Sequence, residues 1–419
     1  MRGYGVWGFI DVWRRKKSLW WDAKRIFSPI WIPARQVFPV GESVKIPIEN
    51  RYSFTDLSEL TVQWQIDSEK GNIYSNLPAG SIGELEIPIP DQIEAGSLLI
   101  LRFFDSHNNL VTAHGVQLGE RKPIIIPEAY AGCPIIEEDE KQLMIKGEDF
   151  TFTIDRNTGK IIPSFGPGLL RLPLFFVDRQ ESKNAFNPGG LEYAQFPING
   201  ERIIDEIQFL RREYAFEIVI REHFKDFVGS VSILLDKSGC AELSFDYVYS
   251  GEAFSMSEFG LQIPIDDRYK RIWWKRQTEW DVYPDDHIGR SEGEAKTHRS
   301  PENVGLIPRF IKPDHPWHLD ENEFGTRDFR ATKYNIYKAK VFADDGSGIQ
   351  VFSNGTTDVR ANLAEKGVLL NLLVSPIQVG RDNQMGCPVR TVKSGEHLSG
   401  RFYIKLRIIE NNSTLDFIL

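Results

Sequence analysis

The sequence contains few cysteines. Only three of its 419 residues are cysteines, Cys133, Cys240 and Cys387. They are far apart and odd in number, so they have neither the spacing of a zinc site nor the pairing of a disulfide framework. Each is most simply a small buried hydrophobic side chain. We therefore expect no cofactor.

Long apolar runs and an excess of positive charge are also missing. No apolar run approaches the roughly 20 residues of a membrane helix, which predicts no membrane partner. The net charge is −9 and the pI is about 5.5. Lysine and arginine are scattered apart from the run at 14–17, which predicts no nucleic-acid partner. Residues 1–10 lack the apolar core of a signal peptide, and the compartment is left open between cytoplasm and periplasm.

Helical periodicity is almost absent. Only Ser18 to Ile26 carries apolar residues at helical spacing, with Ser18 as the expected N-cap and Pro29 beyond its end. From there on, apolar and polar residues alternate with a period of two. This pattern predicts an all-β protein. The clearest strands are expected at 43–49, 60–66, 98–104, 149–155, 216–224, 231–235, 242–249 and 402–409.

The strand spacing predicts two β domains. Strands about ten residues apart, with Gly and Pro turns between them, predict an immunoglobulin-like β-sandwich over residues 30–127. Prolines at positions 123, 127 and 134 mark a linker. The alternation resumes at residue 133 and continues to 419 without a second break, so we expect one large two-sheet domain there. Residues 1–29 are rich in aromatic side chains, unlike an ordinary terminus, and we expect the chain to begin in the middle of a larger protein.

One polar segment, residues 273–290, is dense in tryptophan and charge. It contains Trp273, Trp274 and Trp280, followed by Asp285-Asp286-His287. Aromatic faces cover the apolar side of a sugar ring, and carboxylate or guanidinium groups bind its hydroxyls. The segment is therefore a candidate carbohydrate site. The alternative is a packed loop in which tryptophan belongs to the core and charge to the solvated rim.

Several motifs, taken in order, resemble the C-terminal half of a glycoside hydrolase family 2 enzyme of the β-galactosidase type. The resemblance covers nearly the whole chain and adds a galactose mutarotase-like β-supersandwich to the expected fold. The matching segments are 8–17 and 23–30 (end of the catalytic barrel), 49–58 ("N-x-Y-x-F-T-D-L"), 147–159 ("G-x-x-F-x-x-x-F-D-x-x-T-G"), 325–328 and 379–386.

The resemblance implies three parts and a role for each. Residues 1–29 would be a remnant of the end of a (β/α)8 barrel. Residues 30–127 would form the immunoglobulin-like β-sandwich, and 133–419 would form the β-supersandwich. The chain would then be an accessory region that binds a β-glycoside and lends rim loops to a catalytic barrel or large subunit outside this chain.

The chain also departs from the family pattern. The family's acid/base and nucleophile glutamates lie upstream of the barrel's last strand, so no catalytic residue is assigned in this chain and its enzyme status stays uncertain. Tyr4 and Trp7 replace a Phe and an Asn that help hold sodium in the family, and we expect no metal. The "W-x-G-R-G-P-x-E-x-Y-P-D" motif is altered at 274–285, where its Gly-Pro corner is lost.

Eight residues are the candidate sugar contacts, each with a structural alternative. Trp274 and Trp280 could be core residues, and His287 could be a solvated loop histidine. Arg327 and Asp328 could be a structural ion pair, and Asp382 and Asn383 could be ordinary turn residues. In the family, the residue aligned with Met385 is a tryptophan that stacks on the sugar. With methionine there, either Trp280 or Trp274 supplies that face or the specificity is changed, which we favour, unless Met385 is core filler. The candidates are Trp274, Trp280, His287, Arg327, Asp328, Asp382, Asn383 and Met385.

Two function classes follow from these observations. The first is the accessory region of a β-galactosidase-like glycosidase. The second is a stand-alone carbohydrate-binding or scaffold protein without catalysis. A third, mutarotase activity, would need a Glu/His acid–base arrangement on a sheet face. No recognisable spacing in the sequence supplies one.

Overall fold

The structure is a computed structural model that describes residues 8–10, 13–90, 93–157, 161–165, 174–177, 179–181, 191–193, 201–256, 258–265, 268–278, 280, 282–284, 287, 289–296, 329, 332–363, 367–374, 380–381 and 388–407. Strands dominate these residues, which confirms the all-β prediction. The chain divides into two compact units. Unit 1 holds the described residues up to Pro123 together with those of Thr278–Ser291, and unit 2 holds Ile124–Gln277, 292–296 and 329–407.

Unit 1 contains one α-helix, one 3-10 helix and eight strands among its described residues. They are α1 (Ser18–Ile26), β1 (Ile30–Trp31), β2 (Gln36–Val37), β3 (Ser43–Asn50), the 3-10 helix Leu57–Glu59, β4 (Thr61–Ile66), β5 (Glu69–Ile73), β6 (Ile82–Pro88), β7 (Ser97–Phe104) and β8 (Leu110–Leu118).

The strands of unit 1 form two sheets around one core. The sheet orders are β1-β3-β6 and β2-β8-β7-β4-β5, with β2 parallel to β8 and the other pairs antiparallel. Alternate residues of β3, β4 and β7 point inward and share a single apolar cluster. The chain changes sheet at each step from β1 to β4 and again before and after β6, whereas β4–β5 and β7–β8 are hairpins within one sheet.

Helix α1 has the predicted bounds but not the predicted cap. Lys17, not Ser18, is the N-cap, and its side chain makes no capping hydrogen bond. The helix packs on the sandwich, and Lys24 Nζ donates a hydrogen bond to the Leu110 carbonyl at 2.6 Å. Its other side leaves apolar side chains, among them Ile26 and Phe27, exposed to solvent.

Unit 2 contains twenty-two strands among its described residues. They are β9 (Ile135–Glu138), β10 (Gln142–Lys146), β11 (Thr151–Asp155), β12 (Ile161–Phe165), β13 (Leu174–Val177), β14 (Arg179–Glu181), β15 (Leu191–Tyr193), β16 (Ile203–Arg211), β17 (Phe216–His223), β18 (Phe227–Leu235), β19 (Cys240–Tyr249), β20 (Phe254–Met256), β21 (Glu258–Ile265), β22 (Arg271–Arg276), β23 (Glu292–Lys296), β24 (Ile336–Phe342), β25 (Gly348–Phe352), β26 (Thr357–Leu363), β27 (Val368–Val374), β28 (Gly380–Arg381), β29 (Pro388–Val392) and β30 (His397–Arg407).

Two sheets build the main core of unit 2. The larger has nine strands in the order β16-β17-β18-β19-β30-β25-β24-β22-β23, and the smaller has the order β13-β21-β27-β26. Inward side chains of both sheets share one apolar cluster, in which the rings of Phe245 and Phe259 meet edge to face at 6.1 Å. The opposite face of the nine-stranded sheet carries the alternate, mostly polar residues.

Candidate functional site

Residues 273–276 of the predicted carbohydrate segment lie in β22, and the loop that follows is described at 277–278, 280, 282–284, 287 and 289–290. The sequence places residues 278–291 in the C-terminal domain, but in the structure they belong to unit 1. The reason is that the loop's aromatic side chains pack on α1, more than 250 residues earlier in the chain. This packing brings two candidate residues, Trp280 and His287, next to the N-terminal segment.

An arginine of α1 holds the start of the loop. The Arg25 guanidinium lies 4.1 Å from the ring centroid of Trp280 and 5.9 Å from that of Trp31. The ring of Tyr283 lies 5.7 Å from that of Trp280. Cation–π contacts of this kind contribute about 0.5–2 kcal/mol each, depending on how far they are desolvated. Half-buried Trp280 therefore has one face covered by a cation.

His287 is buried in the middle of the loop, with 4% of its surface exposed. Its ring stacks on Tyr283 at 4.1 Å, and its Nδ1 accepts a 2.8 Å hydrogen bond from the Gly289 backbone N–H. Because Nδ1 is an acceptor, the neutral ring carries its proton on Nε2, which lies 4.0 Å from Asp22 Oδ1. The interpretation as a solvated loop histidine is therefore wrong.

Further hydrogen bonds hold the end of the loop at Arg290 and its middle at Tyr283. Arg290 donates from its side chain to the His287 carbonyl at 2.8 Å, and the Tyr283 hydroxyl lies 3.3 Å from Asp22 Oδ1. In the His287–Asp22 pair the histidine is buried, whereas the Asp22 side chain is 30% exposed. The arrangement is suited to holding a rim in place rather than to acid–base chemistry.

Trp274 does not have the environment of a sugar-stacking residue. It points into the core of unit 2 from β22 and is fully buried. The Lys333 ammonium lies 4.5 Å from its ring centroid. Its assignment as a stacking surface does not fit this burial, because no ring face is open to a ligand. Its neighbour Trp273 points to the opposite face of the sheet.

The remaining candidates lie outside the described residues. These are Arg327, Asp328, Asp382, Asn383 and Met385, together with the acidic pair Asp285-Asp286. Their roles stay predictions.

The sequence reasoning missed a buried charge cluster in unit 2. Glu222 has no exposed surface, and its carboxylate accepts hydrogen bonds from Arg202 Nε and from the Tyr247 hydroxyl. Burial, followed by the Glu222 charge, raises the pKa of Tyr247 well above its ordinary value. Tyr247 therefore stays a hydrogen-bond donor at any ordinary pH, and Arg202 balances the buried carboxylate.

A glycine makes the reach of Tyr247 possible. Glu222, Gly229 and Tyr247 are directly opposite one another on β17, β18 and β19. A methyl group on Gly229 would lie 2.7 Å from Cδ1 of Tyr247 and 2.1 Å from the Asp246 carbonyl oxygen. The missing side chain thus lets a tyrosine cross one strand to reach a carboxylate on the next. A glycine inside a strand is the sequence signal that could have indicated this close approach.

Neither a metal site nor a membrane-spanning helix occurs in the described part of the chain. No group of three or more His, Cys, Asp or Glu side chains there could hold a metal ion. None of the helices described is long and apolar enough to cross a membrane.

Comparison with known proteins gives weak structural similarities only. No protein-family model matches the sequence, and no curated protein matches it. A protein assigned as an aldose 1-epimerase, from Escherichia coli K12, is 10% identical with a TM-score of 0.31, over 66% of this chain and 99% of that one. Galactose 1-epimerase from Lactobacillus acidophilus NCFM is 10% identical with a TM-score of 0.30, over 66% and 98%. A TPR-domain containing protein from Parabacteroides distasonis is 9% identical with a TM-score of 0.30, over 94% and 57%. These scores are too low to support an argument about this chain.

Proposed function

We propose that this chain is the C-terminal accessory region of a β-galactosidase-like glycoside hydrolase. In this role it binds part of a β-glycoside and supplies rim loops to a catalytic barrel that is not in this chain. The proposal rests on the ordered motifs of glycoside hydrolase family 2 in the sequence. The proposal also assigns the galactose mutarotase-like β-supersandwich to residues 133–419, except for the loop 278–291, which belongs to unit 1.

The packing of the loop on α1 is the observation that carries this proposal. Residues 8–30 resemble the end of a catalytic barrel, and residues 274–285 resemble a supersandwich motif of the same family. The Arg25–Trp280 and Asp22–Tyr283 contacts join these two segments within unit 1. A rim loop must lie beside the barrel whose site it borders, and this loop packs on the helix assigned to that barrel.

The exposed apolar side of α1 gives independent support. Leu19, Ile26 and Phe27 are 55%, 57% and 79% exposed, and Phe9 and Ile10 are also exposed. Several large exposed apolar side chains within one short segment are typical of a protein contact. In the proposal, the remainder of the barrel covers this side of α1. Arg327, Asp328, Asp382, Asn383 and Met385 are proposed as further rim contacts.

The test is to express the chain in frame with the coding sequence that precedes it. Hydrolysis of a panel of nitrophenyl β-glycosides is then measured. We expect turnover by the longer protein and a loss of about tenfold in kcat/KM for Trp280→Leu, because the rim loses an aromatic contact. Tyr74→Leu, an exposed aromatic change elsewhere in unit 1, is the control. A longer protein without turnover, or a Trp280→Leu variant as active as the control, would contradict the proposal.

A further inference from the structure

Trp273 is the tryptophan of the 273–290 segment that lies on the outer face of the nine-stranded sheet. It is half-buried on β22, whereas the next residue, Trp274, points into the core. In the described part of the chain, no cation and no aromatic ring is stacked on Trp273. The proposed function does not use this residue, which leaves a large ring without a stacking partner at the surface of unit 2.

Two other aromatic side chains of the same face are covered by cations. Phe342 on β24 has the Arg271 guanidinium 4.6 Å from its ring centroid. Phe352 on β25 has the Lys338 ammonium 5.4 Å from its ring centroid. Contacts of this kind occupy the face of the ring and stabilise it. A ligand could stack on these two rings only by displacing a cation, whereas at Trp273 it would displace none.

Two ion pairs flank Trp273. Arg271 and Lys275 stand two residues before and after it on β22, so they share its face, and each lies about 7 Å along the strand from it. Arg271 pairs with Glu294 on β23 at 2.6 Å, and Lys275 pairs with Glu292 at 3.8 Å. In the register of the two strands, Glu294 is directly opposite Trp273. The ring therefore lies between two pairs whose charges cancel.

Paired charges of this kind suit the hydroxyl groups of a neutral ligand. A carboxylate that accepts from one cation keeps lone pairs for a hydroxyl donor, and a guanidinium keeps further N–H donors for a hydroxyl oxygen. A charged ligand would be attracted by one member of each pair and repelled by the other. Arg271 is held in place by Glu294 and by the ring of Phe342, so little further ordering is needed when a ligand binds.

A second ring on this face is also without a stacked partner. Tyr403 points outward from β30, and no cation or ring among the described residues is stacked on it. Strands β24 and β25 separate β30 from β22. Three strand spacings of about 4.8 Å and one step of about 7 Å along the strand place Trp273 and Tyr403 roughly 16 Å apart. Two such rings on one sheet face fit a chain of several sugar rings better than a single sugar.

We propose that this face of unit 2 binds a neutral glycan chain. The C–H faces of its sugar rings lie on Trp273 and Tyr403, and its hydroxyls form hydrogen bonds with the ion pairs beside Trp273. Binding here needs no catalytic barrel, so the proposal goes beyond the proposed function and stands without it. The alternative is that Trp273 serves the strand alone, since aromatic residues favour strands. In that case its replacement changes stability and not binding.

The test is affinity electrophoresis of the full chain in native gels that contain neutral galactan, hydroxyethyl cellulose or acidic polygalacturonate. A neutral glycan should retard the chain. Trp273→Leu should weaken this binding by about fivefold, because one aromatic contact with the sugar is lost. Trp273→Tyr keeps a ring and should bind within about twofold of wild type. The matched control is Tyr74→Leu, which removes an aromatic side chain that is 78% exposed on unit 1.

Retardation by either neutral glycan supports the proposal if Trp273→Leu reduces it and Tyr74→Leu does not. The proposal is overturned if neither neutral glycan retards the chain, if the two leucine variants bind alike, or if polygalacturonate alone is bound. Circular dichroism reports folding, and Tyr403→Leu is used if Trp273→Leu does not fold. That change should weaken binding by about threefold, and an unchanged affinity overturns the proposal.

Discussion

At the scale of single residues, two buried histidines in unit 1 are held by hydrogen bonds of opposite direction. His287 accepts at Nδ1 from the Gly289 backbone N–H at 2.8 Å. His114 is 2% exposed, and its Nε2 lies 3.3 Å from the Ile30 carbonyl, to which the neutral ring donates. Burial, together with the Arg25 charge, lowers the pKa of His114 to about 4. Arg25 therefore contacts the loop at Trp280 and also lowers the pKa of the core histidine His114.

Two substitutions separate the contacts of His287. His287→Phe keeps the stack on Tyr283 but leaves the Gly289 N–H without its acceptor, at a cost of about 1–3 kcal/mol. His287→Gln keeps an acceptor but loses the stack, at about 1 kcal/mol. Urea unfolding followed by tryptophan fluorescence should show the larger loss for phenylalanine. The reverse order would mean that stacking, rather than the hydrogen bond, holds the loop.

His114 predicts a pH dependence of stability. The unfolded chain takes up a proton near pH 6.5, whereas the folded protein does so only near pH 4. Between these values the unfolded state binds more protons, so the free energy of unfolding falls as the pH falls through this window. The His114 contribution to this fall between pH 6.5 and pH 5 is about 2 kcal/mol.

The measurement compares urea unfolding at pH 7 and pH 5. His114→Gln should reduce the acid-induced loss of stability relative to wild type. His107→Gln, at an exposed loop position, should leave that loss unchanged. Equal acid sensitivity in all three proteins would show that His114 is not the group that titrates.

At the scale of the elements, the packing around β18 depends on Gly229, which has no side chain. Gly229 lies between Glu222 and Tyr247, so the tyrosine hydroxyl can cross β18 and bond to the carboxylate. The bond joins β17 to β19, two strands that are not hydrogen-bonded neighbours. The lack of a side chain at Gly229 therefore lets one hydrogen bond link β17 to β19 across β18.

Gly229→Ala should be strongly destabilising. The new methyl group meets the Tyr247 ring and a backbone carbonyl, and moving the ring leaves Glu222 without one of its donors. We expect a loss of about 2–5 kcal/mol in the free energy of unfolding. Ser230→Ala, the outward-facing neighbour, should change it by less than about 0.5 kcal/mol. Similar effects for both variants would refute the coupling.

Local patterns were sufficient to predict α1 and eight of the strands. Helix α1 keeps its predicted bounds because its apolar spacing is helical, and the strands at 43–49 and 242–249 recur within two residues of their predicted ends. The helix cap at Ser18 was wrong because Ser18 already belongs to the helix, and the extended residue before it, Lys17, is the N-cap. Alternation also shows that Trp273 and Trp274 face opposite ways. It does not show which face is the core, and so Trp274 was chosen as a site residue.

At the scale of the whole molecule, the sequence patterns do not predict contacts between residues that lie far apart in the chain. The loop at 278–291 belongs to unit 1 because of contacts between Trp280 or Tyr283 and α1, which no local pattern encodes.

The measurement that tests the central claim most directly is turnover of nitrophenyl β-galactoside by the purified chain alone. The chain is proposed to lack the acid/base and nucleophile carboxylates, and its remaining sugar contacts supply binding without chemistry. We expect no hydrolysis above the rate in buffer. Hydrolysis that survives purification and is abolished by Glu222→Gln, or by another single substitution in this chain, would contradict the account.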